Sequence, residues 1–147
     1  MNNINIKFDE NLPENFIEIV AKEDCAIIRK IESFVKDNYP NTVTCFKNNQ
    51  AFKVSIDEIY RIYCRDTIVI LKTEKLEYEI KERLYEIENK LEMFSFIKIN
   101  KGEIINLNKV KDFDFTYSGK VLVHLKNDDI CNVSRRNINK LKMILGV

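Results

Sequence analysis

From Val43 onward the chain is a string of short β-branched and aromatic runs cut by polar breaks only a few residues long. Breaks of that length cannot carry a crossover helix between parallel strands, so each run must turn back on its neighbour. Most of the chain is thereby restricted to an α+β, mainly β fold of several small antiparallel sheets with short flanking helices. The first runs are Val43–Phe46, Ala51–Ser55, Ile59–Cys64 and Thr67–Lys72. They are separated by Lys47-Asn48-Asn49-Gln50, Ile56-Asp57-Glu58 and Arg65-Asp66. Beyond Phe94 the sequence predicts strands at 96–99, 103–106, 110–115, 121–125 and 130–133. Tyr117-Ser118-Gly119-Lys120 and Asn127-Asp128-Asp129 supply turns.

The segment 73–94 mixes two periods. Leu76, Tyr78 and Ile80 alternate like a strand, whereas Leu84, Ile87 and Leu91 recur at helical spacing. The reading is a strand at 75–80 and a helix at 81–92, with one long helix as the competitor. Ser134 is placed to cap a last helix running to Leu145, its Ile138, Leu141 and Leu145 facing inward. Ahead of Val43, the alternation Ile4, Ile6, Phe8 and the run Phe16–Ala21 read as two strands. Asp24 then caps a helix from Cys25 to Lys36. Ile27, Ile28, Ile31, Phe34 and Val35 form its apolar stripe, and Asn38-Tyr39-Pro40-Asn41 stops it. The organisation expected is a small ββα arm over 1–42 and a main domain over 43–147. The arm would pack on the rest, dimerise or contact a regulator, with core packing preferred for its helix.

The net charge of +1 conceals a gradient. Residues 1–42 carry five Lys/Arg against eight Asp/Glu, whereas residues 98–147 carry ten against five. A basic end favours an anionic partner. Enzyme chemistry finds no support. His124 stands alone in mid-strand, Gly102, Gly119 and Gly146 form no phosphate loop, and the acids of 74–92 alternate with lysines as a solvated helix face does. Cys25, Cys45, Cys64 and Cys131 form no CxxC pair, and His124 is not at metal-ligand spacing from them. No metal, cofactor or small-molecule substrate is expected. No signal peptide and no membrane-spanning apolar run is visible, so the reading is a cytoplasmic protein with reduced, mostly buried thiols.

Three loops could meet a polyanion. Lys98, Asn100 and Lys101 surround the tip between strands 96–99 and 103–106, where Gly102 is expected to ease the turn. Arg135 and Arg136 open the last helix, at the end where its dipole disfavours cations. Arg65, Asp66 and Thr67 form the third loop. Lysine neutralises phosphate, and lysine or asparagine also reads base edges. On spacing alone, soluble turns explain these loops better than DNA contact does. Phe94, Phe96, Phe113 and Phe115 lie on or beside strands and are expected in the core, which leaves single-stranded RNA without a stacking platform.

Taken in order, several segments resemble the LytTR DNA-binding domain of bacterial transcription regulators over about residues 43–145. Ile59-Tyr60-Arg61-Ile62-Tyr63 followed by Ile68-Val69-Ile70-Leu71-Lys72-Thr73 resembles its "I-x-Y-I-E … V-x-I-x-T" hairpin. The stretch from Glu79 to Leu91 resembles its strand-to-helix segment. Phe96 to Val110 resembles the signature "F-x-R-I-H-R-S-x-I-V-N-L-x-x-I", and Val133-Ser134-Arg135-Arg136 with Lys140-Leu141 resembles the closing "V-S-R-x-Y … K-x-L". The resemblance implies an elongated fold that places loops and a helix start in successive major grooves of duplex DNA, usually as a homodimer. It implies contacts from Arg65, Asp66, Thr67, Lys98, Asn100, Lys101, Arg135, Arg136 and Lys140. Departures are Lys98 for the signature's Arg, Asn100 for its His and Gly102 for its Ser; lysine lacks arginine's bidentate fork. The chain further resembles the short class without a receiver domain, often encoded beside a small membrane protein thought to control it. The rival reading is a protein-interaction module, an anti-regulator that has kept the fold and lost DNA binding.

Overall fold

A computed structural model describes residues 6–12, 17–38 and 41–147, and the chain divides into two units, 1–35 and 36–147. In the N-terminal part a helix, α1 (Ala26–Asn38), forms where the apolar stripe predicts one. The Arg29 guanidinium lies 3.2 Å from the Asp24 carboxylate just ahead of it. Neither strand expected before α1 forms among the described residues 6–12 and 17–25; residues 4 and 16 lie outside the description. The reason is physical: alternation makes a strand only when a neighbour completes the ladder and covers one face. Here the side chains of Ile6, Phe8, Ile17, Ile19 and Val20 are all exposed. On α1 itself, Ile28 and Val35 are half-buried while Ile27, Ile31 and Phe34 are exposed.

The main domain follows the sequence closely. Its strands are β1 (Thr42–Lys47), β2 (Gln50–Ser55), β3 (Arg61–Arg65), β4 (Ile68–Lys72), β5 (Glu77–Ile80), β6 (Phe96–Asn100), β7 (Glu103–Asn106), β8 (Val110–Asp114), β9 (Val121–Leu125) and β10 (Ile130–Val133). Two helices accompany them, α2 (Leu84–Lys90) and α3 (Arg135–Leu145). All registered pairs are antiparallel. One sheet has the order β2-β1-β5-β4-β3-β7-β6 and the other β10-β9-β8. The hairpin turns fall where Asn and Asp tolerate the left-handed region: Asn48 and Asn49 at φ 50° and 62°, Asp66 at 56° and Asp128 at 68°.

Segment 73–94 resolves as strand then helix, because β5 is claimed on both sides, by β4 and by β1. The helix is shorter than the 81–92 expected. It begins at Leu84, after the Arg83 backbone N–H donates to Glu86 Oε2 at 2.8 Å, and gives way to turns beyond Lys90. Ile59 and Tyr60 likewise stay outside β3, which pairs only from Arg61.

Two cores lie back to back across the large sheet. Val43, Ile59, Ile62, Leu71 and Ile104 pack with Leu84, Ile87 and Leu91 from α2 and its C-terminal turn. Tyr60, Ile97, Ile99 and Ile105 pack with Val121, Val123, Leu125, Val133 and Leu141, which brings in the second sheet and α3. Strand β7 is therefore buried on both faces, Ile104 serving one core and Ile105 the other. Asn106 at its end is buried too, donating Nδ2 to the Ile59 carbonyl at 2.8 Å and accepting Asn108 N–H at 3.0 Å. Ile138 and Leu145 flank Leu141 in the second core, as their spacing predicts.

Two expectations about the core need correction. Phe94 and Phe96 pack on the first core and Phe113 on the second, but Phe115 is exposed, with Lys142 Nζ 6.0 Å from its ring. Strand β8 ends at Asp114, so nothing extends the ladder to cover it. Cys45 and Cys131 are buried and Cys25 is half-buried, but Cys64 is exposed near the end of β3, where the sheet runs out into a loop. All four thiols are free. No helix among the described residues is long and apolar enough to cross a membrane.

Candidate nucleic-acid interface

The three basic loops meet at one end of the main domain, and backbone hydrogen bonds hold them there. Cys64 N–H, next to the 65–67 turn, donates to the Gly102 carbonyl at 2.9 Å. Ser134 N–H, next to Arg135, donates to the Ile99 carbonyl at 2.8 Å. The β6–β7 turn thus sits between the β3–β4 turn and the start of α3. Chain segments more than thirty residues apart are fixed by strand register, not by side chains that can wander.

The candidate residues play different parts in this frame. Lys101, Arg135, Arg136 and Lys140 are exposed, Lys101 at the tip of the β6–β7 turn. Arg136 and Lys140 are one helical turn apart and so share a face of α3. No acid lies in the first turn of α3 to neutralise the arginines. Ser134 occupies the N-cap position, but its hydroxyl does not cap the backbone as expected; Oγ accepts from Asn137 Nδ2 at 2.9 Å. Arg65 is exposed yet engaged: its Nη2 lies 3.1 Å from both Glu77 carboxylate oxygens and 2.8 Å from Tyr63 Oη. Tyr63 Oη in turn donates to Glu77 Oε1 at 2.6 Å. The Tyr63 hydrogen bond above all holds the Glu77 carboxyl below its ordinary range; desolvation opposes it, and the Arg65 hydrogen bond and charge add to the lowering. Asp66, at φ 56°, makes the turn, with Thr67 exposed beside it.

Lys98 and Asn100 face inward from the tip. Lys98 Nζ lies 3.4 Å from Glu88 Oε2 of α2, a partly exposed pair and hence a weak one. Asn100 is a staple. Its Nδ2 donates to the Asn132 carbonyl at 3.0 Å and to Glu103 Oε2 at 3.2 Å, while its Oδ1 accepts Gly102 N–H at 3.0 Å. Gly102 does not need glycine's freedom. Its φ is outside the left-handed region, and a Cβ there would stand 3.7 Å from Cys64 Cβ, ordinary contact. The expected role for this glycine is therefore not required, and a Cβ is accommodated.

Sequence reasoning missed the charge network beneath the loops. Arg61 Nη2 comes within 2.7 Å of Glu103 Oε1, an ion contact without hydrogen-bond alignment, and its Nη1 lies 3.5 Å from Asp129 Oδ2. Lys72 Nζ reaches Asp129 Oδ1 at 2.7 Å. The available signal was a glutamate heading an otherwise apolar strand opposite an arginine-bearing one. His124, set aside as structural, sits opposite Asp112 on the neighbouring strand with Nδ1 2.5 Å from Asp112 Oδ1.

Comparison with known proteins agrees with this fold. The family model described as the LytTr DNA-binding domain matches residues 49–146. A solved LytTr DNA-binding domain from Bacillus cereus superposes with a TM-score of 0.69 at 22% identity, covering 73% of this chain and 98% of that one. Proteins of Staphylococcus aureus strains NCTC 8325 and MW2, each named an uncharacterized HTH-type transcriptional regulator, are 24% and 23% identical over 148 residues, covering 100% of both chains. The described residues contain no two consecutive helices, so the "HTH" of those names has no counterpart here.

Proposed function

Because the chain belongs to the LytTR family of DNA-binding domains, we propose that it is a sequence-specific bacterial transcription regulator that grips duplex DNA with the end formed by its three loops. The observation carrying this reading is the convergence of exposed Lys101, Arg135 and Arg136 on one backbone-bonded frame. A rigid frame sets the register of contacts, and exposed cations supply charge for phosphates and donors for base edges. In this reading Lys101 and Arg136 enter the major groove at the turn tip and the helix start. Arg135, Lys140 and the Arg65–Thr67 loop follow the backbone, while Lys98, turned to Glu88, supports the turn from the protein side. Asp66 and Asn100 shape the loops that carry them. The same reading has the protein act in the cytoplasm as a homodimer on DNA, with a small membrane protein as its regulator.

The rival protein-interaction reading draws on the Arg65–Glu77 and Lys98–Glu88 pairs, which neutralise two cations of the contact set. Fluorescence anisotropy separates the two, using duplex from upstream of the protein's own gene beside a shuffled duplex, at low and at physiological salt. Preference for the native duplex by ~10³-fold or more is the expected result. Equal, steeply salt-dependent binding to both means contact by charge alone. No binding to either at low salt removes the regulator reading and leaves the protein-interaction module.

A further inference from the structure

We propose, resting on the reading of this end as the DNA-contacting surface, that Glu103 is the positioning residue that fixes the spacing of the contact loops and so sets sequence discrimination without touching DNA. Glu103 is only 8% exposed, at the head of β7 immediately after the turn. One carboxylate oxygen receives the Arg61 guanidinium at 2.7 Å, and the other accepts Asn100 Nδ2 at 3.2 Å. The Arg61 side is itself held by Asp129, which Lys72 also holds. On the Asn100 side, one amide spans two of the three loops. It accepts Gly102 N–H within the β6–β7 turn and donates to the Asn132 carbonyl, two residues before the α3 cap. The third loop joins through Cys64 N–H on the Gly102 carbonyl.

An asparagine amide is free to turn over by half a rotation, and its two ends are nearly equal in shape. Its sense is set by the groups around it: acceptors facing Nδ2 and the Gly102 N–H facing Oδ1. Glu103 Oε2 and the Asn132 carbonyl both face Nδ2, and of these only Glu103 is fixed from beneath by a cation, the half-buried Arg61. With that acceptor gone, the amide is held only by the Gly102 N–H and the Asn132 carbonyl, which belong to the two segments it is meant to hold in place. The turn carrying Lys101 and the segment leading to Arg135 and Arg136 then lose their common tie. Base reading needs side chains held within about 0.5 Å of productive geometry, whereas phosphate attraction does not. The separation of these two demands is what makes the residue testable.

The experiment compares full-length wild type, Glu103→Gln, Asn100→Ala and Lys101→Ala. Native and shuffled duplexes are titrated by anisotropy, and exchange of the Gly102 amide hydrogen is followed by NMR. Asn100→Ala alters a half-exposed side chain and guards against Glu103→Gln failing to fold. Both are expected to lower the native-to-shuffled affinity ratio by about tenfold or more and to speed Gly102 exchange. In Glu103→Gln the affinity for shuffled duplex does not fall, because no cation is lost; in Lys101→Ala it falls together with the salt slope. A ratio unchanged in both variants overturns the proposal whatever the exchange rates. If wild type itself fails to discriminate, the regulator reading fails instead. Gly102 exchange then decides whether Glu103 positions the turn: faster in both variants upholds that role, and unchanged rates overturn it.

Discussion

Replacing Asn106 with alanine removes the buried polar side chain that ties the far end of β7 to the segment leading into β3. The side chain is 3% exposed. Its Nδ2 donates to the Ile59 carbonyl at 2.8 Å in a buried setting, and its Oδ1 caps the short turn after β7 through Asn108 N–H at 3.0 Å. Alanine leaves the buried carbonyl without this donor and the turn without its cap. An unsatisfied buried group costs about 1–3 kcal/mol, and a lost cap costs about 1 kcal/mol. The sum, with a small cavity, is roughly 2–4 kcal/mol, or roughly 10–20 °C in Tm for a domain of this size. Urea denaturation followed by circular dichroism reads it directly as a lower midpoint at unchanged slope. Asn106→Asp dissects the effect. It keeps the Oδ1 acceptor but sets a carboxylate against the Ile59 carbonyl, so burial raises the folded-state pKa of the new group. Its stability is then present at low pH and lost as pH rises, a recovery on acidification that alanine cannot show. A loss below about 1 kcal/mol for Asn106→Ala would refute the argument that this amide closes the layer.

Three further outcomes follow from the same geometry. Asp129→Ala leaves Lys72 and Arg61 without their shared acid and is expected to destabilise by about 1–3 kcal/mol; additivity with Lys72→Met in a double-mutant cycle would show that the pair is not coupled. The depressed pKa of Glu77 means that its contribution to stability is present above the ordinary carboxylate range and lost as pH falls through the lower folded value. Tyr63→Phe should therefore raise the Glu77 pKa in a carboxylate NMR titration, and an unmoved titration would assign the shift to other groups. Burial pushes the Cys45 and Cys131 thiols up to about 11 and about 12, so in native protein near neutral pH a thiol reagent should modify exposed Cys64 quickly and these two only on unfolding. Fast labelling of Cys131 without unfolding would contradict the second core.

Strand positions were legible because the main domain is built from hairpins whose breaks are polar and short. Asn48-Asn49, Asp66 and Asp128 mark their turns by chemistry that only a few residue types share. The second helix was legible in kind but not in length, since its end depends on turns after Lys90 that carry no strong stop signal. Of the strands placed at 4–8 and 16–21, the described residues 6–8 and 17–21 form none. Alternation is a local property, while a strand is a relation between two segments, and no local pattern reveals whether a partner is in place. The candidate contact loops were marked by charge and by family resemblance. The division of labour within them could not, because Asn100 and Lys101 are adjacent in sequence and alike in polarity. Only the fold shows that one is committed to Gly102, Glu103 and Asn132 while the other stands exposed.

That division bears on how the departures from the family signature should be weighed. A lysine in place of arginine at Lys98 looks costly if the side chain reads a base, since the bidentate fork is lost. Here Lys98 points to Glu88 of α2, where a single ammonium serves as well as a guanidinium, so little depends on the exchange. Asparagine in place of histidine at Asn100 matters more, although its side chain is turned toward the protein. A histidine offers two ring nitrogens in fixed directions, but an amide offers a donor pair and an acceptor in the fork that three neighbours here require. Substitution at the tip is thus judged by what each side chain holds: Lys98 meets one carboxylate, whereas Asn100 is bound to Gly102, Glu103 and Asn132, so the second exchange bears on the proposed positioning role of Glu103 and the first does not.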